Sequence, residues 1–286
     1  MTRQNARTPS EPRVWLITGA SSGFGRAIAT AALDGGDIVI ATARRRQALD
    51  SLIAAYPDRA RAIALDVTDM DATQVIDGVV RRHGRIDVLV NNAGRTQVGA
   101  LEETTEQELR HLFELHFFGP AALTRAVLPH MRRQGGGAVV QMSSVGGQIT
   151  APGFGAYCAT KFALEGLTET LNQEVDFGVR FLIVEPGAFR TGLFAAGSAY
   201  LSAEMPEYTA TVGPTRQYVS GGDGTQPGDP AKAAAAILAA LAADQPPLRL
   251  ALGGDAVDAI RGHLAAVGDE VTAWEPVSRA TSFDPG

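Results

Sequence analysis

Val14-Trp15-Leu16-Ile17-Thr18-Gly19-Ala20-Ser21-Ser22-Gly23-Phe24-Gly25 passes from a short apolar run into a loop with glycines at 19, 23 and 25. Residues 26–33, which follow, have the composition of a helix. Strand, glycine loop and helix in this order form a dinucleotide-binding opening, in which backbone N–H groups and the helix N-terminus face a pyrophosphate. Gly19 would allow the tight turn, Gly23 close backbone approach, and Gly25 close packing of helix on strand. Three glycines alone also fit a merely tight turn. Their spacing, Gly-x-x-x-Gly-x-Gly, differs from the commoner Gly-x-Gly-x-x-Gly.

Working outward, short β-branched and apolar runs alternate with helical patterns. Strands are expected at 37–43, 62–65, 86–90, 137–142, 179–184 and 248–252. An amphipathic helix is expected at 69–82. Helical periodicity covers 105–133, interrupted near Gly119-Pro120, and 160–176 continues a helix begun before Tyr157. Asp229-Pro230 gives an N-cap with proline at the first helical position, opening an Ala-rich helix to Ala243. Such alternation predicts an α/β fold, a Rossmann-like doubly wound parallel sheet with helices on both faces. We expect a single domain: a loose tail at 1–12, a dinucleotide-binding catalytic domain at 13–254, and a C-terminal extension at 255–286 holding a helix and a loose end. Residues 192–228 show no sustained period and contain Tyr200, Met205, Tyr208 and Tyr218, as a substrate lid would. Those aromatics point to a fairly apolar substrate, or simply anchor the loop.

Tyr157-Cys158-Ala159-Thr160-Lys161 places a phenol and an ammonium one above the other on a helix face. An ammonium so placed favours the phenolate and is expected to pull the tyrosine below its free pKa of about 10. That would make a general acid or base usable near neutrality. Of 25 Lys+Arg, only Lys161 and Lys232 are lysines, so the cation at 161 is a selected type.

Composition excludes several other roles. The net charge of −6 gives a nucleic-acid function no global support. The single cysteine, Cys158, excludes an intrachain disulfide and a cysteine-cluster metal site, and no metal is expected. It reads as a small packing residue. No apolar run reaches membrane-spanning length and 1–13 is no secretory signal, so we expect a soluble, cytoplasmic protein with no membrane partner. A serine-hydrolase elbow, Gly-x-Ser-x-Gly, is absent around Ser143-Ser144.

Thr18-Gly19-x-x-x-Gly23-x-Gly25, Asn91-Asn92-Ala93-Gly94, Ser144 thirteen positions before Tyr157, Tyr157-x-x-x-Lys161 and Pro186-Gly187 follow one another in the chain. Together they resemble the short-chain dehydrogenase/reductase family in its compact, non-extended form, over about 14–191. The resemblance implies catalysis by Ser144, Tyr157 and Lys161, with Lys161 also holding the nicotinamide ribose. It implies a cofactor cradle of Gly19, Ser21, Ser22, Gly23, Phe24 and Gly25. Asp66 would meet the adenine amino group, and Val67 would supply backbone contacts. Asn92, Ala93 and Gly94 would lie near the cofactor, with Pro186, Gly187, Phe189 and Thr191 by the nicotinamide. A stand-alone structural turn fits Asn91–Gly94 equally well.

At the ribose end Ala43 is not acidic and Arg44 follows, which favours NADP(H), with NAD(H) possible. A solvated cluster at a helix start is the other reading of Arg44. One departure from the pattern is His116, where relatives place an asparagine that holds a water on a proton path from the lysine. A relay and a satisfied core histidine are both open for it. The expectation is an NADP(H)-dependent oxidoreductase interconverting a small-molecule carbonyl and a secondary alcohol. Its alternatives are an NAD-linked alcohol dehydrogenase and a non-catalytic dinucleotide sensor. Relatives commonly pair through helices flanking the active site, implying a homo-dimer or homo-tetramer.

Overall fold

The structure, a computed structural model, describes residues 11–195 and 197–283. The expected N-terminal tail lies outside these through residue 10, as does the end of the chain from 284. The elements run β1 (Val14–Ile17), α1 (Gly23–Asp34), β2 (Ile38–Ala43), α2 (Asp50–Ala55), β3 (Ala60–Ala64), α3 (Ala72–His83) and β4 (Val88–Asn91). They continue with β5 (Gln97–Val98), α4 (Glu106–Phe113), α5 (Gly119–Gln134), β6 (Gly137–Met142), α6 (Gly155–Glu174) and β7 (Val179–Pro186). The last are β8 (Tyr200–Leu201), α7 (Gly213–Gly221), α8 (Pro230–Ala242), β9 (Arg249–Leu252) and α9 (Gly254–Arg279).

Seven strands form one sheet in the order β3-β2-β1-β4-β6-β7-β9, each pair parallel. Strand order reverses between β1 and β4, so the loops after these two strands open a crevice at their carboxyl ends. Both faces are covered, which is why β1 is apolar throughout rather than alternating. Trp15 and Ile17 enter a core with α1 and α8, while Val14 and Leu16 enter the opposite core with α3 and α5. Burying each such side chain contributes about 1.5–3 kcal/mol. This is the doubly wound α/β fold that the sequence predicts.

Local chemistry sets several boundaries. Asp71 caps α3 by accepting from Gln74 N at 3.0 Å, and Gly84 ends it at φ 80°, a left-handed position. Thr105 and Glu108 form a reciprocal capping box at α4. Asp229 accepts from Ala231 N at 2.8 Å with Pro230 opening α8.

Two expectations change. The interruption expected near Gly119-Pro120 lies there but is no break: a π-helical turn at Glu114–Phe118, directly before Gly119, carries the helix on. Pro120 has no N–H for the carbonyl of His116, and the backbone widens in the turn before it. Gly119 lets that turn press on the loop after β3, since a Cβ there would lie 2.6 Å from Val67 O. Residues 192–228 are also more regular than their lack of period suggests. They hold β8, which pairs with β5, a short 3-10 turn at Pro206–Tyr208, and α7. Arg216 of α7 fixes them, donating to Ser202 O at 2.8 Å and to the buried Glu103 at 2.7 Å.

Candidate active site

The loop after β1 and the turn after β4 are built as one piece around Thr18. Its Oγ1 accepts from Asn92 N at 2.9 Å and Ala93 N at 3.0 Å. Asn92 Nδ2 in turn donates to the carbonyls of Thr18, at 2.8 Å, and Gly19, at 3.1 Å. Gly19 and Gly23 both take left-handed backbone, φ 64° and 54°, and a Cβ on Gly19 would sit 2.8 Å from Ala93 Cα. Gly25 packs otherwise than expected. Its missing side chain makes room for Asn92 Nδ2, 2.4 Å from where a Cβ would be, and for Gly19 O, at 2.5 Å. It therefore seats α1 on the two loops rather than on the strand.

These loops bound a cavity of about 490 Å³ at the carboxyl ends of the strands. Of the residues expected at the site, all but Gly25 line it: Gly19, Ser21, Ser22, Gly23, Phe24, Arg44, Asp66, Val67, Asn92, Ala93, Gly94, His116, Ser144, Tyr157, Lys161, Pro186, Gly187, Phe189 and Thr191. The rings of Phe24 and Phe189 meet at 5.2 Å between centroids, closing one side. Gly187 allows Asp255 to come close, and Asp255 Oδ2 accepts from Ala188 N at 2.7 Å.

The cradle fits a dinucleotide. Ser22, the N-cap of α1, makes no side-chain cap bond, and the first turn carries no acid. The N–H groups and positive end of that helix are thus left to an anion. Arg44 and Arg45 stand at the other end, exposed, and neither makes an ion pair among the described residues. Asp66 is turned inward: its Oδ1 accepts from Thr68 N at 3.0 Å and Thr68 Oγ1 at 2.8 Å. These bonds hold its carboxyl below the usual range although burial opposes them.

Ser144, Tyr157 and Lys161 converge at the inner end. Ser144 Oγ accepts from Gly146 N at 3.1 Å, which orients it at the end of β6. Lys161 Nζ donates to Met142 O at 2.7 Å and lies 5.7 Å from the centroid of the Tyr157 ring. Here the electrostatics reverse the expectation. Burial pushes the Tyr157 phenol up to about 12, outweighing the hydrogen-bonding Ser144. The ammonium yields instead: burial brings Lys161 down to about 8, with Glu165 one turn on pulling the other way. Half-buried Tyr157 and buried Lys161, lacking an oppositely charged contact, both move toward their neutral forms. Cys158 is buried packing, its thiol pushed up mainly by burial.

His116, on the π turn, is fully engaged. Thr160 Oγ1 donates its one hydrogen to Tyr157 O at 2.7 Å, so at its 2.9 Å approach to His116 Nδ1 it must accept. Nδ1 carries the proton, and Nε2 accepts from Arg95 N at 3.2 Å. The ring is a neutral bridge between the strand-4 loop and the tyrosine helix, edge-on to Tyr157 at 5.5 Å. Burial, then the Lys161 and Arg95 charges, hold it far below its ordinary range.

Sequence reading missed a buried layer behind the lysine. Glu165 and Glu185 lie 3% and 2% exposed, with Arg249 Nε 3.5 and 3.4 Å from them. Glu165 also accepts from Ser143 and Gln148, tying the Ser144 loop to α6. Two facing carboxylates resist double ionisation, and burial with the Glu165 charge pushes Glu185 up to about 8. No short-range motif signals this group, because its members come from three separate elements. Arg95, His111 and Phe194 are further cavity residues without a sequence signal beyond Arg95 following Gly94.

Comparison with known proteins gives the family of the chain and agrees with its fold. A family model described as short chain dehydrogenase matches residues 13–200. A short-chain dehydrogenase from Streptomyces avermitilis of solved structure is 65% identical, with a TM-score of 0.90 over 96% of this chain and 99% of that one. An oxidoreductase of Botryotinia fuckeliana, BOA17, is 38% identical over 94% of this chain and 99% of its own length. An alcohol dehydrogenase from Thermococcus sibiricus, complexed with 5-hydroxy-NADP, is 28% identical over 85% of this chain and 96% of its own, with a TM-score of 0.69. By matched family, shared fold and length of overlap, the chain belongs to the short-chain dehydrogenase family of oxidoreductases.

Proposed function

We propose that the protein is an NADP(H)-dependent carbonyl reductase acting on a small-molecule ketone and its secondary alcohol. The observation that carries this is the meeting of Ser144, Tyr157 and Lys161 in the cavity that the glycine loop opens. A bound nicotinamide dinucleotide would supply the hydride, and the protein supplies orientation and the proton. Tyr157, protonated at neutral pH with its phenol near 12, donates that proton to the carbonyl oxygen. Ser144 Oγ, held by Gly146 N, donates a hydrogen bond to the same oxygen. Lys161, charged below about 8, favours the phenolate as it forms and would hold the nicotinamide ribose. His116 keeps the tyrosine helix in register with the Arg95 loop, and its two filled nitrogens favour this over a proton relay. Arg44 and Arg45, with no acid at Ala43, support NADP(H) through a 2′-phosphate contact. Residues 192–228 serve as the substrate lid, with Leu193 and Phe194 giving the cavity an apolar wall.

The test is nicotinamide absorbance with NADPH and with NADH against a panel of ketones and alcohols. Substrate-dependent oxidation of NADPH supports the reading. Cofactor binding with no turnover on any member would instead favour a dinucleotide sensor.

A further inference from the structure

Helix α9 spans 26 residues, yet Ala256 is its one buried residue and every residue from Arg261 to Phe283 is exposed. Such a helix lacks its usual support. Most helical stability in proteins comes from packing an apolar face, and short isolated helices are marginal in water. Its composition makes this worse, with Gly262, Gly268, Val267, Val271 and Thr272 all weak helix formers.

An apolar stripe runs along the helix, half-buried at Val257 and Ile260 and exposed from Leu264 on, with the exposed Val277 beside it. Val257, Ile260, Leu264, Val267, Val271 and Trp274 are spaced 3-4-3-4-3, a seven-residue repeat with two apolar positions per repeat. Leu264, Val271 and Trp274 are 57%, 65% and 65% exposed, far more than a finished surface needs. A stripe this narrow fits another helix rather than a wide lipid-facing surface. The charges agree. Asp255, Asp258, Asp269, Glu270 and Glu275 against Arg261 and Arg279 make the helix acidic, the wrong sign for an anionic membrane.

We infer that α9 pairs antiparallel with α9 of a second copy of this chain. That arrangement sets Leu264 of one copy against Trp274 of the other and Val267 against Val271, closing the exposed part of the stripe, from Leu264 to Trp274, on itself. The flanking positions decide the direction. Antiparallel pairing brings Arg261 to Glu275 of the other copy twice and sets Glu270 against Glu270 once. Parallel pairing sets Glu270 against Glu275 twice and leaves Arg261 opposite Ala256. Gly268 meets Gly268 near the midpoint, where its missing side chain lets the helices approach. The apolar seam from Leu264 to Trp274 is about 15 Å long at the helical rise per residue. It is separate from the helices beside the active site, through which relatives commonly pair.

The full chain should be compared with Val271→Asp, Arg261→Glu and Arg261→Glu/Glu275→Arg by sedimentation over a range of concentrations. Since Val271 is exposed, its replacement should leave the fold and turnover per chain unchanged while halving the assembly mass. Arg261→Glu should raise the concentration for half-dissociation by about two- to thirtyfold, since it removes two exposed ion pairs worth about 0.2–1 kcal/mol each. The double exchange should restore it. A native-like mass for Val271→Asp would overturn the pairing. So would a monomeric native chain whose α9 binds phosphatidylcholine vesicles and loses them on the same substitution.

Discussion

His116 Nδ1 donates to Thr160 Oγ1 across 2.9 Å while its Nε2 accepts from Arg95 N at 3.2 Å, and the two bonds together fix the ring as a neutral tautomer at the centre of the site. The substitution His116→Leu would strip the Thr160 bond and leave the part-buried N–H of Arg95 without its partner, a loss of about 1 kcal/mol or more. Because the folded ring sits far below its ordinary value of 6.5, the unfolded chain takes up a proton first. Native stability should therefore fall as pH drops through about 6.5, and His116→Leu should lack that slope. Denaturant melts from pH 5 to 8 measure it. An identical slope in both proteins would mean the ring is not held neutral.

Tyr157→Phe removes the phenol and little volume. Cofactor affinity should persist while turnover falls by about 10²–10⁴-fold or more, the usual worth of general acid catalysis. In the native enzyme, ketone reduction should decline as pH rises through about 8, where Lys161 loses its charge, well before the phenol at about 12 ionises. A flat profile to pH 10 would dissociate the lysine from the chemistry.

Arg44 lines the cavity without an ion-pair partner among the described residues. Arg44→Ala should weaken NADPH by about ten- to a hundred-fold, the worth of a charge-assisted hydrogen bond, and leave NADH nearly untouched. Fluorescence titration of both cofactors decides the matter; equal weakening would make Arg44 a general surface cation.

Glu185 keeps a proton in the folded state up to about 8, against 4.5 for an ordinary glutamate. The folded protein thus binds more protons than the unfolded chain across that window, so this group lowers stability as pH rises through it. Glu185→Gln, which mimics the protonated form, should gain stability over the native chain progressively from pH 5 to 8. Thermal melts at several pH values test this, and a constant difference would mean Glu185 is ionised throughout.

The fold was legible because each layer repeats one message: apolar β1 calls for two covered faces, and Gly19 and Gly23 stand where only left-handed backbone turns the chain. The residues of the cavity were legible by position along the chain. Their electrostatics were not. The spacing of Tyr157 and Lys161 suggests a lowered phenol, but burial, which depends on everything packed around them, pushes it up. The Glu165–Glu185–Arg249 layer was invisible for a related reason, since α6, β7 and β9 meet there only after folding. In 192–228 the helix α7 hides behind a sequence rich in glycine, and it is the buried Arg216–Glu103 pair that anchors it.

The π turn at Glu114–Phe118 has a consequence for how this rod of helix divides its labour. An α-helix advances 100° per residue, so one extra residue in a turn offsets the two flanking segments by about that angle. Ahead of the turn, α4 faces α6; beyond it, α5 faces α3 and strands β4 and β6. A chain one residue shorter between 114 and 118 could wind an α-helix through this stretch, short of the one bond that Pro120 cannot make. Its first half would then aim Leu112, now buried, along a different bearing, and His116 would swing off the wall it shares with Thr160.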